Sequence, residues 1–261
     1  MAEATHTRAA TDRGWFAWAR GNSPPDFEQT VKVVLTTFTA FTGFTVNKAV
    51  ESVADQIKLP TNVGDRGTFT IVWDTLDLLG AIWSSVHFWA LIALLSLLLR
   101  YLIGSAIHLN DTYVKRVGET KPALSQSTLF LFKDLVFLVL FGIVVLTIAR
   151  TVKGNFQIAP FLLGCKIFLL CGLAWSVVDI ISRYLLSKAC PAWWGREWLD
   201  LSAYGLWPFL DLSQLLFTFW VSSWTADELP QARWLALVYF AFLFVDVCYL
   251  VLRLRRPAVA A

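Results

Sequence analysis

Residues 77–100 read DLLGAIWSSVHFWALIALLSLLLR, and this stretch decides the fold. Between Asp77 and Arg100 lie 22 residues without a formal charge, His87 being taken as neutral. At about 1.5 Å per residue, a helix of that length covers about 33 Å, the depth of a bilayer's hydrocarbon core. A helix lying on a soluble core carries a polar stripe, whereas this one has only scattered Ser and His and is apolar nearly all round. The stretch therefore reads as a membrane span bounded by two charges. The helical pattern persists beyond Arg100 through YLIGSAIHL to Asn110.

More apolar runs follow, at about 128–149, 158–182 and 234–252. A weaker one at about 205–223 is interrupted by Pro208 and Asp211 and suits a re-entrant or half-buried helix. Upstream, Ser-Pro-Pro-Asp-Phe-Glu at 23–28 has the residues of a helix start, with Ser23 as cap and acidic groups at the positive end of the dipole. That first helix is expected to run to about residue 58, before Pro60. The fold expected is all-α: a polytopic integral membrane bundle of six transmembrane helices, or five if one segment fails to cross. Residues 1–22 form a cytoplasmic arm, 23–256 the transmembrane domain and 257–261 a tail.

Composition agrees. Hydrophobic residues are 57% of the chain and charged ones 16%, against roughly 25% charged in soluble domains, and the mean hydropathy is +0.59. A net charge of +3 gives no reason to expect nucleic acid as a partner. The arm lacks an apolar core, so no cleavable signal peptide is expected. Cys165, Cys171, Cys190 and Cys248 form no CxxC, and three lie in apolar runs, as reduced packing residues do. Gly164, Gly172 and Ser176 make a small-residue stripe suited to close helix contact.

Orientation follows from basic residues in alternate loops. With six spans, one side collects 13: Arg8, Arg13, Arg20, Arg100, Lys115, Arg116, Lys121, Arg183, Lys188, Arg196, Arg253, Arg255 and Arg256. The other has six: Lys48, Lys58, Arg66, Arg150, Lys153 and Arg233. Both termini are expected in the cytoplasm and the protein in the plasma (inner) membrane.

Two constellations bear on function. In the first helix, steps of 100° place Lys32, Thr36, Thr39, Gly43 and Asn47 on one face and Val34, Phe38 and Phe41 on the other. The polar face either packs on protein through Thr hydrogen bonds, lines a pore with Thr36, Thr39, Gly43 and Asn47, or lies in the interface. The second comprises ionisable residues inside apolar runs: Lys133, Asp134, Lys166, Asp179, Asp211 and Asp246. Each costs a few kcal/mol in a bilayer unless paired or hydrated. All but Lys166 fall toward the expected inner side. They form either a hydrated vestibule or interhelical ion pairs, with Lys133 snorkelling, Arg183 beside Asp179, and Lys133 the nearest cation for Asp211 or Asp246.

Enzyme signals are poor. His87 and His108 lie about 31 Å apart on one helix, too far to share a metal. Haem ligation by either would require a second subunit's histidine. No HExxH, GxSxG or phosphate-cradling loop is present. Asp74 and Asp77 suit a helix start. No metal, cofactor or catalytic residue is expected, and the bilayer is the expected partner. Three functions stay open: a small homo-oligomeric channel or pore, a proton-coupled secondary carrier, and a scaffold or accessory subunit binding a partner protein through its cytoplasmic loops.

Overall fold

The computed structural model describes residues 27–56, 79–110, 112, 124–152, 156–189, 201–224 and 227–254. The N-terminal arm, Asp74 and Asp77, the loop after the first helix, the Trp-rich segment near 192–200, Cys190 and the tail lie outside the described residues. So do the side chains of Arg183 and of the first and last turns of several helices.

Every described element is helical, with no strand among them. The six long helices are α1 (Phe27–Gln56), α2 (Val86–Leu109), α3 (Leu124–Thr151), α4 (Ile158–Ala189), α5 (Leu201–Ser222) and α6 (Glu228–Leu254). A short helical stretch at 79–84 precedes α2. Four helices hold segments long and apolar enough to cross a membrane: Val86–Leu109, Leu129–Thr151, Ile158–Ser182 and Glu228–Val251. Among the described residues, α1 and α5 do not reach that apolarity.

The stretch 77–100 is not one helix, and Arg100 is not the end of a span. Ser85 is extended (φ −81°, ψ 120°) and its Oγ accepts from the Phe88 amide at 3.3 Å, capping a new helix. Serines compete for backbone partners, and here Ser84 Oγ also donates to the Ala81 carbonyl at 3.1 Å. From Val86 the helix passes through Arg100 and ends at Leu109, 24 residues or about 36 Å long. In α5, Pro208 lacks an amide proton and removes one ladder bond. The helix nevertheless continues on both sides of it.

Packing closes the helices into a ring in the order α1, α3, α4, α5, α6, α2 and back to α1. The most extensive contact is between α2 and α6. They run parallel: Arg233 of α6 reaches the Trp83 carbonyl just before α2, and Arg100 late in α2 reaches Asp246 late in α6. Helix α4 runs with them, because Glu228 at the start of α6 accepts from the Ile158 amide at the start of α4 (3.1 Å). Helices α3 and α5 run the opposite way to α4: Ile148 and Lys133 of α3 stand beside Gly164 and Asp179, and Ser222 at the end of α5 accepts from Lys166 early in α4.

Small residues set the spacing. A Cβ at Gly164 would lie 2.6 Å from Ile148 Cγ1, and one at Gly172 would overlap the Tyr101 hydroxyl. The outer surface of α3 to α6 is apolar, with Leu129, Val139, Leu163, Leu216, Phe240 and Phe244 exposed. That is the pattern of a lipid-facing belt. Inside the ring the aromatic set Tyr101, Phe141, Phe168 and Trp175 packs together, Tyr101–Phe168 edge to face with centroids 4.4 Å apart and Phe141–Trp175 tilted at 5.7 Å.

Candidate functional site

Buried polar side chains gather between these helices. Helix α2 contributes Arg100, Tyr101, Ser105 and His108. Residues 101, 105 and 108 are one helical face at i, i+4 and i+7. Around Arg100 the ring adds Asp211 and Gln214 from α5 and Asp246 from α6. Around His108 it adds Lys133 and Asp134 from α3 and Trp175 and Asp179 from α4.

The first centre is organised by one guanidinium. Arg100 Nε donates to Asp246 Oδ2 at 2.6 Å, and Nη1 lies 2.8 Å from Asp211 Oδ1. Nη1 also donates to Gln214 Oε1, and the Tyr101 hydroxyl donates to Asp211 Oδ2 at 3.2 Å. Arg100 is 1% exposed, Asp211 5%, and Gln214 and Asp246 0%. Trp207 and Phe242 each place a ring centroid 5.8 Å from the guanidinium carbon, so the cation is also held by aromatic faces. Two carboxylates against one cation leave a formal charge of −1 when both are ionised. Arg100 Nη2, Gln214 Nε2 and Asp246 Oδ1 are buried without a hydrogen-bond partner among the described residues. Such groups cost about 1–3 kcal/mol each when left unmade, so their presence is itself informative.

The second centre lies two turns further along α2. His108 Nε2 is 3.3 Å from Asp134 Oδ2 and 3.9 Å from Asp179 Oδ1. Lys133 Nζ is 2.7 Å from Asp179 Oδ1 and 3.1 Å from Asp134 Oδ1. The Trp175 indole donates to Asp134 Oδ1 at 2.8 Å. Between the two centres sits Ser105, 1% exposed, its hydroxyl without a partner among the described residues. Beyond the Arg100 centre in the other direction, Thr218 Oγ1 and Tyr239 Oη are 2.7 Å apart.

Of the intramembrane ionisable residues picked from sequence, Lys133, Asp134 and Asp179 meet in one centre, and Asp211 and Asp246 in the other. Lys166 belongs to neither. It lies toward the opposite end of α4, donating to Ser222 Oγ at 2.7 Å with the Phe219 ring 4.6 Å away. The expected partnership of Lys133 with Asp211 or Asp246 is not formed: Lys133 pairs with Asp179 and Asp134, and the other two share Arg100. Arg100, Tyr101, His108, Trp175 and Gln214 were missed as site residues. For Arg100 the signal was present, because a nine-residue helical pattern follows it.

On α1, Thr36, Thr39, Gly43 and Asn47 all face away from the bundle, with open space where a Gly43 Cβ would stand. Asn47 Nδ2 donates to Glu51 Oε1 at 2.7 Å. Phe38 is buried, and Phe41 leans on Gly142 (3.2 Å from its would-be Cβ). The buried threonines are Thr42 and Thr45, the latter donating to the Phe41 carbonyl at 2.9 Å. No protein-family model, curated protein or solved structure matches the chain.

Proposed function

We propose that this chain is a transport protein of the plasma (inner) membrane, not an enzyme, with all six long helices spanning the bilayer and the Arg100–Asp211–Asp246 centre coupling transport to proton or cation binding. One observation carries the reading: buried polar groups from five helices meet inside an otherwise apolar bundle, and one of them is a cation shared by two carboxylates. Charges cost several kcal/mol each when taken out of water, and a pair inside a bilayer is retained most readily where it is used. A proton or a small cation neutralises the excess negative charge and frees the guanidinium from one carboxylate. That is a two-state element of the kind alternating access requires. The inward polarity of α5 explains why it falls short of a simple apolar span. Its outer face, Phe209, Leu212, Leu216, Phe219 and Trp220, is exposed and apolar, and Asp211, Gln214 and Thr218 point inward.

A second reading is a symmetric homo-oligomeric pore around the outward stripe of α1, favoured by polar residues turned away from the bundle on a helix of membrane-spanning length. One experiment separates the two. The full chain is reconstituted in liposomes with a trapped pH indicator, and proton flux is followed after an imposed gradient. Flux above protein-free vesicles is expected, falling at least about tenfold in Asp211→Asn and Asp246→Asn and persisting in Lys166→Met. Flux that ignores both carboxylate variants and falls with Thr39→Val moves permeation to α1. No flux in any of them removes transport and leaves a scaffold or accessory role.

A further inference from the structure

The geometry points to a divalent transition-metal site formed by His108, Asp134 and Asp179, which the Lys133 ammonium fills in this state and a metal ion fills in another. The three side chains come from α2, α3 and α4, and their nearest ligand atoms all lie within 4.8 Å of one another. Ligand atoms around a tetrahedral ion with bonds of about 2.0–2.1 Å stand about 3.3 Å apart. His108 Nε2 and Asp134 Oδ2 already have that separation, 3.3 Å. The third ligand, Asp179 Oδ1, is 3.9 Å from His108 Nε2, within a rotamer adjustment of the same distance. One imidazole and two carboxylates suit Zn²⁺, Mn²⁺ or Fe²⁺, and the three leave a position open to water or to a transported ion.

Two further observations set this cluster apart from an ordinary ion pair. Trp175 donates its indole proton to Asp134 Oδ1 at 2.8 Å, which turns Oδ2 toward His108. Carboxylate ligands are commonly oriented in this way by a hydrogen bond from behind. The same ring stands edge-on to His108, centroids 5.1 Å apart, and fixes the imidazole plane. The present cation is also removable. Lys133 Nζ contacts both carboxylates at 2.7 and 3.1 Å, but its side chain is 14% exposed, with the Phe130 ring centroid 5.4 Å from the ammonium. A lysine stem can snorkel outward without unfolding its helix. Exchange of the ammonium for M²⁺ leaves the carboxylates paired throughout and requires only that His108 carry its proton on Nδ1, so that Nε2 is free to bind.

This inference goes beyond the transport reading and is tested at equilibrium without flux, so either can fail alone. The purified full chain in detergent is titrated with Zn²⁺ by equilibrium dialysis and with Co²⁺ by visible absorption. One ion per chain is expected, with Co²⁺ showing ligand-field bands and no sulfur charge-transfer band. His108→Gln and Asp179→Asn should weaken binding at least about 100-fold, and Trp175→Phe about tenfold. Lys133→Met and Lys133→Gln, made in parallel in case one folds poorly, should tighten it at least about tenfold. The proposal is overturned by no stoichiometric uptake in the wild type, by uptake that survives His108→Gln, by a sulfur band assigning the ion to the cysteines, or by Lys133 variants with wild-type affinity. Uptake only after Lys133 is replaced also overturns it, since the native chain would then keep its lysine in place of an ion.

Discussion

Arg100 holds two carboxylates at once, and that ratio decides what each neighbour tolerates. Arg100→Leu strips the cation from Asp211 and Asp246, both buried, and breaking a buried pair from one side costs about 3–5 kcal/mol. Asp211→Asn or Asp246→Asn alone still leaves one cation facing one anion, so each should cost no more than about 1 kcal/mol. The double Asn variant leaves the guanidinium alone and should cost as much as Arg100→Leu, far more than the two singles added. Denaturant unfolding of the purified chain measures all four, and single Asn variants as damaging as Arg100→Leu would refute the shared-cation account. The carboxylates were legible in the sequence because charges stand out in apolar runs. Arg100 was legible only in part: the helical pattern that runs on past it to Asn110 marks it as no terminus, but its role needs the partners on α5 and α6. Such partners are more than 100 residues away in sequence, where no local pattern reaches.

At the scale of elements, α4 shows what spacing alone can reveal. Its stripe of Gly164, Gly172 and Ser176 announces close contact, and the structure sets the first two against Ile148 of α3 and Tyr101 of α2. Gly172 matters most, because its missing side chain is what lets Tyr101 reach Asp211. A Cβ there would lie 2.5 Å from Tyr101 Cζ and 3.0 Å from Asp211 Oδ2. Gly172→Ala should therefore destabilise the fold by about 1–3 kcal/mol, the usual range for overpacking. Adding Tyr101→Phe removes the overlapping hydroxyl and should recover part of that loss. Wild-type stability for Gly172→Ala in thermal unfolding would mean that α2 and α4 do not approach this closely. On helix α1 the division into a Thr36 face and a Phe38 face was legible, but not which of the two meets the bundle: Phe38 is buried and Thr36 exposed. Periodicity tells which residues share a face and is silent on what covers it. The break at Ser85 was hidden for a related reason: an apolar run has the same composition whether or not one serine caps a new helix within it.

For the whole molecule, the charged centres and the loop charges make one connected argument about orientation. Both centres lie toward the end of the ring where α2, α4 and α6 finish and α3 and α5 begin. Arg100 no longer counts among the loop residues, since it is buried in a helix, which leaves 12 basic residues on that side against six on the other. The two-to-one excess still favours that end facing the cytoplasm. On that expectation the Arg100 and His108 centres would lie nearer the cytoplasmic mouth, with Lys166 and the Trp83–Arg233 contact toward the outside. A proton or metal ion would then meet the His108 centre first from the cytoplasmic side, past Lys133. The expectation is checked in intact cells with single cysteines and a membrane-impermeant thiol reagent, in a background where the four native cysteines are replaced. Positions 63 and 154 should react from outside, and positions 118 and 195 only after the membrane is opened. Reaction of 118 and 195 in intact cells, with 63 and 154 protected, would invert the protein. The two centres would then open to the exterior, and an ion bound at His108 would be on its way in rather than out.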